Sequence, residues 1–93
     1  MILFHDDTLE RTTDGKGKVD ETTLADIRRL DAGKWYQARF AGARVPTLDE
    51  AMEALARLGL GANVEIKPSS GRERETGEAT ARALKAHWPG RLP

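Results

Sequence analysis

The sequence has no cysteine among its 93 residues, which excludes a disulfide framework, a thiolate metal site and a thiol nucleophile. It has no apolar run near the roughly 20 residues of a membrane span, and its first residues lack the basic and apolar regions of a signal peptide. Fifteen acidic and fifteen basic side chains cancel, so the overall charge gives no reason to propose a nucleic acid or an anionic membrane as partner. We therefore expect a cytoplasmic protein with neither a membrane span nor a nucleic-acid partner.

The N-terminal segment joins an apolar stretch to a polar loop. Residues 1–4 are apolar, His5 and Asp6 follow, and the chain then stays polar as far as Lys18. A short continuous apolar run is typical of a strand buried on both faces of a parallel sheet. In βα barrels the active-site side chains stand at the carboxyl ends of such strands. A closed eight-stranded barrel takes about 250 residues, so the sequence predicts a piece of a barrel that starts on this strand.

Three helices are predicted from periodicity and capping signals. The first follows Thr23, a candidate N-cap. The second spans 46–59, where Thr47 and Glu50 form a capping box, and the third runs over about 70–87, from a Ser70 start to His87. The apolar stripe expected on the second helix consists of Leu48, Met52, Leu55 and Leu58.

A second strand is predicted over 62–67, because apolar and polar residues alternate there and Pro68 ends the pattern. Two strands separated by a helix predict a parallel βαβ unit. Residues 34–45 show no period but contain Trp35, Tyr36 and Phe40. We expect this loop to pack against the rest of the protein, with its aromatic residues serving packing and not a ligand.

Two groups of residues could carry chemistry. His5 ends the first strand, where an imidazole could transfer a proton or be a structural side chain, and Asp6 could orient it or form a turn. Glu65 and Lys67 share the polar face of the second strand. They could be an ion pair, or a carboxylate that binds a hard metal ion beside an ammonium that meets a phosphate. A Schiff-base role for Lys67 is a further alternative. His87, near a helix end, is interpreted as structural.

The loop around Gly15 and Gly17 lacks the spacing of a phosphate-binding P-loop or of a dinucleotide fingerprint. We expect these glycines to supply turn conformations. Arg11 could hold the loop by hydrogen bonds or be solvated.

Four motifs taken together resemble the glycerophosphodiester phosphodiesterase family. They are HDDTLERTTDGKG at 5–17, LDAGKW at 30–35, VPTL at 45–48 and NVEIK at 63–67. The resemblance implies a TIM barrel, of which residues 1–93 would be a fragment of one domain with a family-specific insertion at about 11–45. It implies hydrolysis of glycerophosphodiesters to glycerol 3-phosphate and an alcohol, with a divalent metal, Mg²⁺ or Ca²⁺.

The resemblance also assigns roles to individual residues. His5 matches a catalytic histidine and would protonate the leaving group, with Asp6 in support. Glu65 matches a metal ligand, and Lys67 matches a lysine close to the substrate phosphate. The family's first nucleophile would be a hydroxyl of the substrate glycerol, after which water would open a cyclic phosphate.

The family's His-Arg and Glu-x-Asp motifs do not occur in this sequence. We therefore expect the isolated chain to be inactive. The alternative is a non-enzymatic half-barrel that associates with itself or with a complementary chain. Two parallel strands without neighbours leave unpaired edges, so we also expect the isolated chain to be oligomeric or prone to aggregation.

Overall fold

The second predicted helix is present in the computed structural model, which describes all 93 residues. Helix α2 spans Leu48–Leu58, and its capping box is formed. The Thr47 hydroxyl accepts a hydrogen bond from the Glu50 amide at 3.2 Å, while the Glu50 carboxylate accepts one from the Thr47 amide at 2.9 Å. Gly59 ends the helix at φ +69°, a left-handed conformation that glycine adopts without steric cost. Local sequence thus fixes both ends of α2.

The apolar stripe of α2 is buried only in part. Leu48 and Met52 are buried, Met52 with 3% of its surface exposed, whereas Leu58 is 64% exposed. The predicted apolar stripe is thus covered over the first turns of the helix and exposed at its last residue.

Helix α3 spans Glu73–His87 and packs against α2. It ends where the sequence predicts, but it begins three residues after Ser70. Gly71 has a positive φ of +83°, and the Arg72 amide donates a hydrogen bond to the Ser69 carbonyl at 2.9 Å. This turn precedes the helix, and Arg72 occupies the N-cap without a side-chain cap.

The chain consists of two compact units. The helical unit comprises Met1–Leu3 and Thr47–Pro93, with α2 and α3, and the loop unit comprises Phe4–Pro46. The loop unit contains helix α1, Leu24–Ile27, and two short 3₁₀ helices, Val19–Glu21 and Ala38–Phe40. The Thr23 hydroxyl caps α1 as predicted, accepting from the Asp26 amide at 3.2 Å. The buried apolar side chains of the loop unit are those of Leu9, Ile27 and Val45.

Neither predicted strand forms a ladder in the structure. Ile2 makes one antiparallel bridge with Thr47, and the segment 62–67 has no strand hydrogen bonds beyond its first residue, where the Ala62 amide donates to the Pro93 carbonyl at 3.0 Å. The predicted parallel pair is therefore absent from the structure. A strand exists only through pairing with a neighbour, and alternation in one segment cannot supply that neighbour. None of the helices combines the length and apolar character needed to cross a bilayer.

Asp31 organises the second half of the loop unit. Its carboxylate accepts hydrogen bonds from the backbone amides of Gly33 and Lys34 at 2.9 Å and of Gly42 at 2.7 Å. These three bonds lower the pKa of Asp31 to about 2, because they stabilise the ionised form. The Asp31 amide in turn donates to the Asp14 carboxylate at 2.9 Å. One carboxylate therefore ties together both ends of the segment 31–42.

The aromatic residues of this segment are more exposed than the sequence analysis predicts. Trp35, Tyr36 and Phe40 are all exposed, Tyr36 by 64%. They contact one another instead, with ring centroids 5.7 Å apart for Trp35 and Tyr36 and 5.9 Å apart for Tyr36 and Phe40. The expectation that they pack down was wrong, since the segment is held by backbone hydrogen bonds to Asp31 and not by burial of its rings.

Candidate functional site

His5, Asp6 and Arg11 form a connected side-chain cluster in the loop unit. The Nδ1 atom of His5 lies 2.7 Å from Oδ1 of Asp6. Arg11 donates to both oxygens of the same carboxylate, from Nε to Oδ2 at 2.7 Å and from Nη2 to Oδ1 at 2.8 Å. This is a bidentate guanidinium–carboxylate pair, which fixes orientation as well as charge. Of the two alternatives for Asp6, the structure contains the contact with the His5 ring.

The charged groups of the cluster, Asp6 and Arg11, shift each other's pKa, so that each favours the ionised form of its partner. The hydrogen bond from Arg11, followed by that from His5, holds the pKa of Asp6 well below its usual range. Asp6 in turn raises the pKa of Arg11. The carboxylate therefore stays ionised at neutral pH and acts only as an acceptor.

The cluster presents the imidazole to solvent. The His5 side chain is 66% exposed, whereas that of Asp6 is only 21% exposed. A group that exchanges protons with a small molecule must be reachable by it. The arrangement keeps the orienting carboxylate sheltered while the titratable ring remains accessible.

The backbone that carries this cluster is held by its own turn. The Thr13 hydroxyl and amide both donate to the Leu9 carbonyl, at 2.7 and 3.1 Å, and Leu9 is buried. Arg11 lies inside this turn. Sequence analysis left Arg11 either bound to the loop or solvated, because an Asp and an Arg five residues apart in a loop follow no local pairing rule.

Gly15 and Gly17 have different structural roles in the loop. Gly17 has φ +98° and supplies a turn conformation, as predicted. Gly15 has no positive φ, and a Cβ on it would lie 2.6 Å from the Leu30 side chain, so Gly15 allows the close approach of Leu30 and does not supply a left-handed turn. The Gly15 amide donates to the Thr13 hydroxyl and the Gly17 amide donates to the Glu10 carboxylate. Because these amides already have partners within the loop, the loop does not offer them to a phosphate.

Glu65 and Lys67 lie in the helical unit, within the segment 62–67. Both side chains are exposed, and the structure contains no ion pair between them. The ion-pair interpretation is therefore not realised. A lysine nucleophile is activated by desolvation in an apolar pocket, so the exposure of Lys67 also argues against a Schiff-base role. His87 lies in the last turn of α3, where the sequence places it as a structural residue.

No group of three or more potential ligands in the structure is arranged to hold a metal ion. Glu65 alone offers one carboxylate, whereas hard divalent cations take about six or more oxygen ligands. The donors of this chain therefore do not complete a metal site by themselves.

Comparison with known proteins identifies the family to which a chain with these motifs belongs. Residues 1–92 match the glycerophosphoryl diester phosphodiesterase family. The chain belongs to this family. This confirms the resemblance inferred from the four motifs, and it favours the phosphodiesterase interpretation over an aldolase.

Two solved structures of the family resemble this chain. A phosphodiesterase of Oleispira antarctica, in complex with the product sn-glycerol-3-phosphate, is 47% identical with a TM-score of 0.95, covering 99% of this chain and 37% of that one. A glycerophosphodiester phosphodiesterase of Agrobacterium tumefaciens is 36% identical with a TM-score of 0.78, covering 91% and 34%. These structural neighbours belong to a family of TIM barrels, whereas the structure of this chain contains two isolated β-bridges and no sheet.

A curated relative gives the same result. The glycerophosphodiester phosphodiesterase of Caldanaerobacter subterraneus is 43% identical over 67 residues, which are 72% of this chain and 28% of the enzyme. The chain thus spans about a third of the length of the relatives it matches.

Proposed function

We propose that this chain supplies part of the active site of a phosphodiesterase that hydrolyses glycerophosphodiesters to glycerol 3-phosphate and an alcohol. The observation that carries the proposal is the accessible His5, held through Nδ1 by an ionised Asp6, in a chain of this family. Cleavage of a phosphodiester requires a proton for the departing alkoxide. His5 is the group in this site that can hold and deliver it.

Lys67 has the complementary electrostatic role. Negative charge builds up on the phosphoryl oxygens as the nucleophile attacks, and a fixed cation stabilises that charge. Lys67 is exposed and has no carboxylate partner in the structure, so its ammonium is available to a substrate phosphate.

Glu65 is proposed as one ligand of a divalent cation, Mg²⁺ or Ca²⁺. Its carboxylate suits either ion, but the other ligands are not clustered in this chain. We therefore expect the isolated chain to hold neither ion and to be inactive, because the His-Arg and Glu-x-Asp motifs are not in its sequence.

In the barrel that the family implies, the segments 1–4 and 62–67 are proposed to be parallel strands of one sheet. Neighbouring strands would satisfy the backbone groups that lack strand partners in this structure. βα barrels carry their active sites at the carboxyl ends of such strands, and His5 directly follows the first of these two segments while Glu65 lies in the second.

A chimeric enzyme tests the proposal. The 93 residues replace the matching segment of the Oleispira antarctica phosphodiesterase, and release of glycerol 3-phosphate from a glycerophosphodiester is followed with Mg²⁺ or Ca²⁺. We expect activity that falls by about 100-fold or more in His5→Ala, the scale of general acid catalysis. Lys67→Gln should also lower the rate, and Glu65→Gln should raise the metal concentration needed for half-maximal rate.

His87→Ala is the matched control, because it removes the only other histidine from a position outside the proposed site. It should keep the rate of the parent chimera. A folded, active chimera whose rate is unchanged by His5→Ala and by Glu65→Gln would refute the proposal.

The second candidate is a non-enzymatic half-barrel that associates with another copy of itself. It is favoured by one observation, the exposed apolar side chains of Leu3, Leu60, Val64 and Ile66. Sedimentation velocity over a range of concentrations should then show a defined oligomer that is lost in Val64→Lys. A monomer at every concentration would refute this candidate.

A further inference from the structure

We propose that Arg11 is a positioning residue that acts through Asp6 to fix the ring of His5, so that Nδ1 carries its proton and Nε2 faces the substrate. The catalytic consequence rests on the function proposed above, whereas the positioning itself is a property of this chain. His5 remains the catalytic residue, because Arg11 contacts it only through Asp6.

The geometry of the carboxylate explains why Arg11 matters. Nε and Nη2 of Arg11 reach different oxygens of Asp6 at 2.7 and 2.8 Å. Two contacts from a rigid planar group define both the position and the plane of the carboxylate. Oδ1 of Asp6 is thereby placed 2.7 Å from Nδ1 of His5.

The ionisation of Asp6 then decides which ring nitrogen carries the proton. An ionised carboxylate has no proton to donate, so Nδ1 must donate to it. In a neutral histidine only one nitrogen carries a proton, and the hydrogen bond made by one nitrogen therefore sets the state of the other. Nε2 is left free on an exposed ring, so it is the nitrogen that takes up the proton which His5 delivers to the leaving group.

Arg11 is itself supported from the segment 31–42. Its guanidinium carbon lies 6.0 Å from the centroid of the Trp35 ring, within the range of a cation–π contact. The indole Nε1 of Trp35 donates to the Ala32 carbonyl at 2.9 Å. The series Trp35–Arg11–Asp6–His5 links this segment to the imidazole.

A lysine at position 11 could supply charge but not this geometry. Its ammonium is a point charge on a flexible stem, whereas the guanidinium offers a planar fork that matches a carboxylate. Arg11→Lys therefore separates orientation from charge. Arg29, which pairs with Asp26 at 3.2 Å in the same unit, is the matched arginine whose removal leaves His5 untouched.

The test uses ¹⁵N NMR of the 93-residue chain. Shifts of the two ring nitrogens report the tautomer of each histidine at a pH where both are neutral. His5 and His87 are the only histidines, and the structure gives His87 no side-chain hydrogen bond. His87 is thus an internal reference, and magic-angle spinning of sedimented protein gives the same readout if the chain associates.

We expect His5 to be mainly the Nδ1–H tautomer and to differ from His87. In Arg11→Ala and in Arg11→Lys the ratio of Nδ1–H to Nε2–H at His5 should fall by about fivefold or more, because the acceptor is no longer fixed. Arg29→Ala should leave it unchanged. If Arg11→Ala fails to fold, Arg11→Lys, which keeps a long cationic side chain, provides the comparison.

Equal tautomer ratios in wild type and Arg11→Lys would overturn the proposal, as would a wild-type His5 that matches His87. Because no hydrolysis is measured, an inactive chimera would refute the proposed function without affecting this result. Conversely, a chimera that depends on His5 but shows no effect of Arg11 on the tautomer would refute the positioning role alone.

Discussion

Among the glycine-to-alanine substitutions in the loop unit, Gly33→Ala should be the most destabilising. Gly33 is buried, and a Cβ built on it would lie 2.1 Å from the Phe40 carbonyl oxygen and 2.8 Å from the Ala43 Cβ. Contacts of a Cβ below 3.0 Å are essentially never found. The methyl group therefore cannot be accommodated unless the backbone near Phe40 moves by about 1 Å.

That movement would break bonds which hold the segment. The Phe40 carbonyl accepts from the Ala43 amide at 3.1 Å, and the Gly33 amide donates to Asp31 at 2.9 Å. Overpacking of a tightly packed site costs about 1–3 kcal/mol and sometimes more. With a backbone atom as the obstacle we expect a loss of about 3 kcal/mol in the free energy of unfolding, a large part of the roughly 5–15 kcal/mol of a small domain.

The assay is urea unfolding followed by tryptophan fluorescence. Trp35 lies in the loop unit and Trp88 in the helical unit, so Trp88→Phe leaves a probe of the loop unit alone. In that background Gly33→Ala should lower the urea midpoint by more than about 1 M. The matched control is Gly77→Ala in the interior of α3, where a Cβ meets nothing within 4 Å.

Gly77→Ala should stabilise the helical unit, probed by Trp88 in a Trp35→Phe background, by about 0.5–1 kcal/mol, since alanine is the better helix former. A Gly33→Ala protein with an unchanged midpoint would refute the close approach of Gly33 to Phe40. Destabilisation by both substitutions would show that the effect is not specific to Gly33.

Three further predictions concern single side chains. The stability that Asp31 gives the loop unit should be present above the carboxyl's ordinary pKa of 3.8 and be lost as the pH falls towards about 2, because the pKa is lowered in the folded state. The urea midpoint should therefore fall between pH 5 and 2, and Asp31→Asn should make it depend less on pH. Thr47→Ala should cost about 1 kcal/mol through loss of the α2 cap while Thr47→Ser restores it, and equal midpoints for the two variants would contradict a capping role. Met52→Ala should cost about 2–4 kcal/mol because Met52 is buried, whereas exposed Leu58→Ala should change the free energy of unfolding by less than about 0.5 kcal/mol in the same titration.

The elements predicted correctly from sequence are those whose determinants lie close together in the chain. The capping box of α2 involves residues three apart, and Gly59 follows the helix directly. The Thr23 cap of α1 is of the same kind. In each case one side chain meets a backbone group within the same turn, so a short window of sequence contains both partners.

The predictions that are not realised in the structure of this chain concern burial and strand pairing. The alternation over 62–67 indicates which side chains share a face, but a strand needs hydrogen-bonding partners from elsewhere in the chain. Similarly, the aromatic content of residues 34–45 indicated packing, but the segment is held by hydrogen bonds to Asp31 and its rings stay exposed. The amino-acid composition of a segment shows which interactions its side chains can make, but it does not show which other residues surround them in the fold.

The candidate site divides in the same way. Its residue types, a histidine beside an aspartate and a Glu-x-Lys pair, could be named from the sequence and led to the family. A contact between His5 and Asp6 could be inferred from the sequence, because the two residues are adjacent. The role of Arg11 could not be predicted, because five loop residues separate it from Asp6 without a regular period.

The sequence by itself determined the caps of α1 and α2 and the C-terminal ends of α2 and α3, because these features depend on neighbours within one turn. Only the tertiary structure decided that Arg11 donates to both carboxylate oxygens of Asp6. It also decided that the Asp31 carboxylate accepts a hydrogen bond from the Gly42 amide, eleven residues away, at 2.7 Å. Such contacts depend on the path of an irregular loop, and that path is set by many weak interactions acting together.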